Sequence, residues 1–228
     1  MNDSLITNII PITYFGGTGG HFLRSLIIAA KVEYEPLWEF SPYGNAHWAP
    51  TEWYNDSFNT PKGSPPDLSM TVKDVLKKIE DSKIYCNPME FYYHQFHIVD
   101  LNELMKHFFR SIRICYEYKD VKEISLAMLA KTGIDANVIK DPNDITEMRK
   151  FFMARQVLGI KHCKDFQRVT YNEKVYPVPW NMMLRDDPEM LFEGLFAFTG
   201  FEKFSLDNLL RWRELTLKGI SDMEQRIK

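Results

Sequence analysis

Residues 10–31 read IPITYFGGTGGHFLRSLIIAAK. A β-rich run over residues 9–15 gives way to four glycines within residues 16–20. From His21 onward, Phe22, Leu23, Leu26, Ile27 and Ala30 recur at the spacing of an amphipathic helix. A glycine turn between a strand and a helix suits one task, the holding of an oxyanion. Glycine lets the backbone take φ > 0 and approach a ligand closely. The N–H groups of the first helical turn then point at the ligand, with the helix dipole behind them. Gly17, Thr18, Gly19, Gly20 and His21 are the expected donors, and the Thr18 hydroxyl is a further one. GGTGGHF lacks the lysine and the following hydroxyl of G-x-x-x-x-G-K-[ST], and it is not G-x-G-x-x-G. The pattern therefore favours an anion held without a metal. The competing reading is a tight strand-to-helix turn that binds nothing.

The elements that would position such a loop alternate along the chain. Pro11 is expected at the start of the first strand, because it can donate nothing to a ladder. A helix is predicted over 67–81, with Val72, Val75, Leu76 and Ile79 on one face, and one or two short strands within KIYCNPMEFYYHQFHIVD. LNELMKHFF reads as a brief helix, and SIRICYEY as a strand with Ile112, Ile114 and Tyr116 on one side. KDVKEISLAMLAKTGI is a helix expected to stop at Gly133, and DPNDITEMRKFFMARQVLGI one capped by Asp144. DFQRVTY, residues 165–171, reads as a strand. DDPEMLFEGLFAFTGF is a helix opened by Asp186, Asp187 and Pro188, and SLDNLLRWRELTLKGI the last helix, with RWREL as a solvated face. Such alternation with short connections predicts a parallel sheet covered on both faces. Residues 34–66 break the pattern. They are dense in Trp, Tyr, Pro, Asn and Ser, and so long an irregular insert reads as a functional loop or lid.

Length and composition set the frame. The 228 residues suit a single domain spanning 1–228, and 45% apolar with 26% charged residues is a globular profile. A formal charge of −3 gives no bulk case for nucleic acid or an acidic membrane, so affinity for an anion must be local. No run approaches the roughly 18 apolar residues of a membrane span. Cys86, Cys115 and Cys163 form no metal pattern, and reduced thiols in a cytoplasmic setting are expected.

Taken with the loop, IRICYEYKDVKEISLAML resembles the sulfotransferase family, P-loop-like enzymes that use 3′-phosphoadenosine-5′-phosphosulfate. In that family Y-P-K-S-G-T-T-W-L binds the 5′-phosphosulfate, and a later R-x-P-x-D-x-x-x-S supplies an arginine and a serine to the 3′-phosphate. Here Thr18, Gly19, Gly20, His21 and Phe22 fall on S-G-T-T-W, and Asp120 falls on the aspartate. Glu123 or Ile124 stands opposite the serine, and Ser125 aligns after a shift of one residue. A third stretch, VTYNEKVYPVPWNMMLRDDPEMLFEGLFAFTGF, resembles the family's late strand and D-P-E helix through Tyr171, Asp187, Pro188, Glu189 and Gly200. Gly17 replaces the loop cation, and Tyr116 and Tyr118 replace the arginine and proline. Arg24, Arg113 and Lys119 are the nearby cations that can compensate, with His21 as a further one when protonated.

The resemblance implies a three-layer α/β/α fold of the P-loop type and transfer of a sulfuryl group to a hydroxyl of a carbohydrate or small molecule. It implies a cradle of residues 17–22 for the phosphosulfate, Ser125 at the 3′-phosphate, and no metal. The family places a base, often a histidine, at the end of the second parallel strand. His94 and His97 occupy that region and would face opposite ways on one strand, and His94 is the preferred base. The pair is a weak match to a zinc site, and His162 beside Cys163 carries no geometry by itself. His47 reads as surface, although its place in the insert allows it to line a substrate mouth. Trp38, Trp48, Trp53 and Tyr54 suit either stacking on a sugar or adenine or fastening the insert. The alternatives are a relative that has lost catalysis and keeps the loop for an anion or as scaffold, and a nucleotide kinase or hydrolase. Against the latter stand the absent lysine and the absent magnesium ligand.

Overall fold

The protein is described here from a computed structural model. It covers residues 5–7, 10–32, 40–45, 76, 86–90, 98–166, 168–171 and 174–228. Four parallel strands, β1 (Ile10–Tyr14), β2 (Cys86–Glu90), β3 (Arg110–Cys115) and β4 (Lys174–Pro179), form a sheet in the order β2-β1-β3-β4. Every residue of β1 is buried, so both faces of this central strand are covered. Pro11 is its second residue rather than its first, and pairing with β3 begins just beyond it, at Ile12↔Ile112.

The covering helices are α1 (Gly20–Val32), α2 (Ile98–Met105), α3 (Val121–Met128), α4 (Ile145–Phe166), α5 (Trp180–Leu184), α6 (Pro188–Thr199) and α7 (Leu206–Arg226). Helix α1 departs from its amphipathic expectation, because every residue from 22 to 30 is buried, Arg24 and Ser25 included. It runs inside the molecule rather than along its surface. The helix expected to stop at Gly133 instead passes from α3 into a π-helical turn over Leu129–Asp135. The predicted caps hold. Asp144 Oδ1 accepts the amides of Thr146 and Glu147, both at 3.0 Å, at the head of α4. Asp187 accepts the Glu189 amide with Pro188 in the first turn of α6, and Gly200 closes that helix at φ 81°.

Residues 165–171 are not a strand: 165 and 166 end α4, and 169–171 are irregular. The strand lies over KVYPVP, a run whose two prolines argue against a ladder. The backbone explains how it pairs. The Lys174 amide donates to the Phe109 carbonyl at 3.2 Å on the β3 side. Strand alternation then turns residues 177 and 179 to the other side, where a missing N–H costs no bond to β3. Nor is RWREL a solvated face. Trp212 is fully buried, and Arg213 is buried with its guanidinium donating to the carbonyls of Met182 and Met183, both at 2.7 Å. Only Arg211 and Glu214 of that run form an exposed pair. The helix predicted over 67–81 lies outside the described residues except for Leu76, which is helical. Among the described residues, no helix is long and apolar enough to cross a membrane.

Candidate anion site

Strand order fixes where a ligand would lie. From β1 the chain moves to β2 on one side, whereas β3 leads to β4 on the other. The carboxyl ends of β1 and β3 therefore flank a topological switch point, the crevice where open parallel sheets bind ligands. The two connections there are the glycine loop after β1 and residues 116–120 after β3.

The loop is built from a tight turn. The Phe15 carbonyl accepts both the Thr18 amide at 3.1 Å and the Thr18 hydroxyl at 2.6 Å. Gly17 sits at φ 96° and Gly19 at φ 88°, left-handed values that penalise any residue with a Cβ. Helical bonding starts where the Leu23 amide reaches the Gly19 carbonyl at 2.9 Å, so the amide of Gly20 lies ahead of the first intrahelical bond. Each glycine also allows a close approach. A Cβ on Gly17 would stand 2.6 Å from the Ile124 carbonyl oxygen, and one on Gly19 would stand 2.5 Å from Trp212 Cζ2. One on Gly20 would enter the Tyr14 ring. Packing alone thus accounts for much of the glycine content, and the left-handed pair adds an amide-lined turn at the switch point.

Not every predicted donor faces that turn. Thr18 is fully buried with amide and hydroxyl both spent on Phe15, which removes it from the cradle. Phe22 is a wall, its ring stacked on Trp212 at 4.7 Å with an interplanar angle of 7°. His21 is half-buried and meets the Tyr14 ring edge-on at 5.7 Å. Ser125 is fully buried in α3 and its hydroxyl donates to the Val121 carbonyl at 2.7 Å. That back-bond leaves it presenting no surface to a 3′-phosphate. Gly17, Gly19, Gly20 and His21 are the expected cradle residues that come together at the switch point.

Tyr116, which aligns with the arginine of the sulfotransferase pattern, is half-buried with its hydroxyl turned inward. Its hydroxyl lies 2.6 Å from His162 Nδ1 and 3.2 Å from the Gly159 carbonyl, and its ring stacks on the imidazole at 5.5 Å. One arrangement satisfies all three groups: the hydroxyl donates to Gly159 and accepts from Nδ1–H. Burial, then the nearby Arg113 and Arg155 cations, push the His162 pKa down to about 3, so the ring is neutral. Burial pushes the Tyr116 phenol and the Cys163 thiol up. A thiol raised by burial is a poor nucleophile, which argues against a Cys163–His162 nucleophile pair.

The cations offered by the sequence are placed elsewhere or held. Lys119 pairs with Glu117 at 2.7 Å on the surface, and Arg113 lies 5.8 Å over the Tyr171 ring. Arg24 is buried within α1. A cation not foreseen is Arg155 of α4, buried beneath the loop, 4.5 Å over the Phe15 ring and donating to the Gly16 carbonyl at 3.4 Å. Trp212 was equally missed as the wall of the loop. Neither carried a sequence signal, because each meets the loop only through folding from well over a hundred residues away. His94, His97, His47, Trp38, Trp48, Trp53 and Tyr54 lie outside the described residues. Among the described residues no group of His, Cys, Asp and Glu has the arrangement of a metal site. The chain matches no protein-family model, and no curated protein matches it.

Proposed function

We propose that this is a sulfotransferase-like protein with a three-layer P-loop-type fold, binding 3′-phosphoadenosine-5′-phosphosulfate. The observation that carries the reading is the turn at the switch point, with left-handed Gly17 and Gly19 opening α1 between the ends of β1 and β3. In this reading the amides of Gly17, Gly19, Gly20 and His21 hold the 5′-phosphosulfate. A hydroxyl oxygen of a carbohydrate or small-molecule acceptor attacks sulfur in line as the bond from sulfur to the phosphate oxygen breaks. The acceptor proton passes to His94, and adenosine 3′,5′-bisphosphate leaves.

A second reading, a relative that binds the anion without turnover or serves as scaffold, is favoured by one observation. The positions aligned with the 3′-phosphate ligands are committed to the interior, Tyr116 to His162 and Gly159, and Ser125 to Val121. Titration calorimetry with adenosine 3′,5′-bisphosphate, followed by transfer from the labelled donor to a panel of sugars and phenols, separates the two. Micromolar binding with transfer that is lost in His94→Ala supports the first reading. Binding without transfer supports the second, and no heat at millimolar nucleotide refutes both as nucleotide-binding proteins. His21→Glu, which sets a carboxylate at the half-buried lip of the loop, should weaken the nucleotide strongly.

A further inference from the structure

We infer that Lys131, on the π-helical turn after α3, supplies the cation that the glycine loop itself lacks and makes a charge-assisted contact with the phosphate or sulfate oxyanion held there. The inference rests on the loop being an anion cradle, as proposed above. Three observations place the lysine. Lys131 Nζ lies 4.6 Å over the ring of Trp212, the same indole whose Cζ2 edge backs Gly19 and whose plane stacks on Phe22 in the first turn of α1. The loop and the ammonium therefore share one wall. The side chain is buried, at 8% exposure, with its ammonium against the Trp212 ring. It also sits on a π-helical segment, Leu129–Asp135, directly after the stretch of α3 (Ile124 and Met128) against which Gly17 packs. Such segments recur at functional sites.

Burying an ammonium is costly, and one cation–π contact offsets only part of its desolvation. Asp135, on the same turn, is the titratable group whose field reaches Lys131. It is itself held by the Ser41 hydroxyl of the 40–45 turn, and its pKa is raised by burial. From α7 the neighbour is the neutral Trp212 ring. An oxyanion in the loop would add a second negative charge to that of Asp135. Burial lowers the Lys131 pKa to about 7, so near neutrality the lysine titrates in the free protein and would be fixed as the cation on binding.

Binding of adenosine 3′,5′-bisphosphate by calorimetry from pH 6 to 9 tests this in the intact chain. For wild type the affinity should fall by up to about tenfold per pH unit above pH 7, because a proton must then be taken up on binding. Lys131→Met should lose about ten- to a hundredfold in affinity, the worth of a charge-assisted hydrogen bond, and flatten the profile. Lys131→Arg should retain affinity and stay level to pH 9, since the guanidinium does not titrate there. It also keeps the test open if the Met variant misfolds. Wild-type affinity in Lys131→Met, or a decline above pH 7 in Lys131→Arg matching wild type, overturns the role of Lys131 while leaving the loop reading intact. No binding by wild type at any pH overturns the loop reading first.

Discussion

The loop makes a quantitative demand on Gly17 that its backbone angle alone does not. Gly17 and Gly200 have similar left-handed angles, φ 96° and φ 81°. Their surroundings differ. A Cβ on Gly200 meets nothing within 4 Å, whereas one on Gly17 stands 2.6 Å from the Ile124 carbonyl oxygen and 3.2 Å from side-chain atoms of Ile124 and Met128. Alanine at 200 should therefore cost only the left-handed penalty, about 1 kcal/mol. Alanine at 17 should cost that plus about 1–3 kcal/mol of overpacking against a backbone atom with no rotamer to yield, roughly 2–4 kcal/mol in total. With a urea slope of about 3 kcal/mol per molar, the unfolding midpoint should drop by roughly 0.3 M for Gly200→Ala and about 1 M for Gly17→Ala. Paired urea titrations of the two variants, followed by circular dichroism, read the difference directly. Equal midpoints would show that the loop does not press on α3 and would refute the close approach on which the site's construction depends.

Two further outcomes follow from the cluster beneath the loop. Tyr116→Phe removes a hydroxyl shared by His162 Nδ1 and the Gly159 carbonyl, leaving a buried partner unmet, and should destabilise by about 1–3 kcal/mol in urea unfolding. A loss under about 0.5 kcal/mol would contradict the network. The His162 pKa, about 3 in the folded chain against an ordinary 6.5, adds a pH dependence with a definite sign. The unfolded chain binds the extra proton, so the stability held by the neutral ring is full above pH 6.5 and is lost progressively as pH falls from 6.5 towards 3. Urea midpoints across that range should decline in wild type and decline less in His162→Gln. Parallel slopes would mean that the imidazole is protonated in the fold.

Much of the architecture was legible because it is local. The apolar run of β1, the alternation of β3, the Asp144 and Asp187 caps and the Gly200 stop are each set by neighbours within a few residues. The order β2-β1-β3-β4 is not local, and neither is β4. Its prolines read as a strand breaker until the β3 side is known to need only the alternate amides. The same division runs through the site. The glycine turn announced itself, but Thr18 and Ser125 bear hydroxyls whose partners, the Phe15 and Val121 carbonyls, take them out of a ligand's reach. Tyr116 looked like a lost arginine and is instead the hub of a buried cluster with His162 and Phe15. Trp212, Arg155 and Lys131 reach the loop or its wall only through tertiary packing, and no spacing in the chain signals them.

The turn of Gly17, Gly19 and Gly20 is proposed to hold the phosphorylated end of a sulfonucleotide. The most direct measurement is a crystal structure of the protein soaked with adenosine 3′,5′-bisphosphate. The 5′-phosphate should lie against the amides of Gly19 and Gly20, at hydrogen-bonding distances of about 2.7–3.2 Å, in the crevice between the ends of β1 and β3. A nucleotide bound elsewhere, with the glycine turn packed and empty, would contradict the proposal.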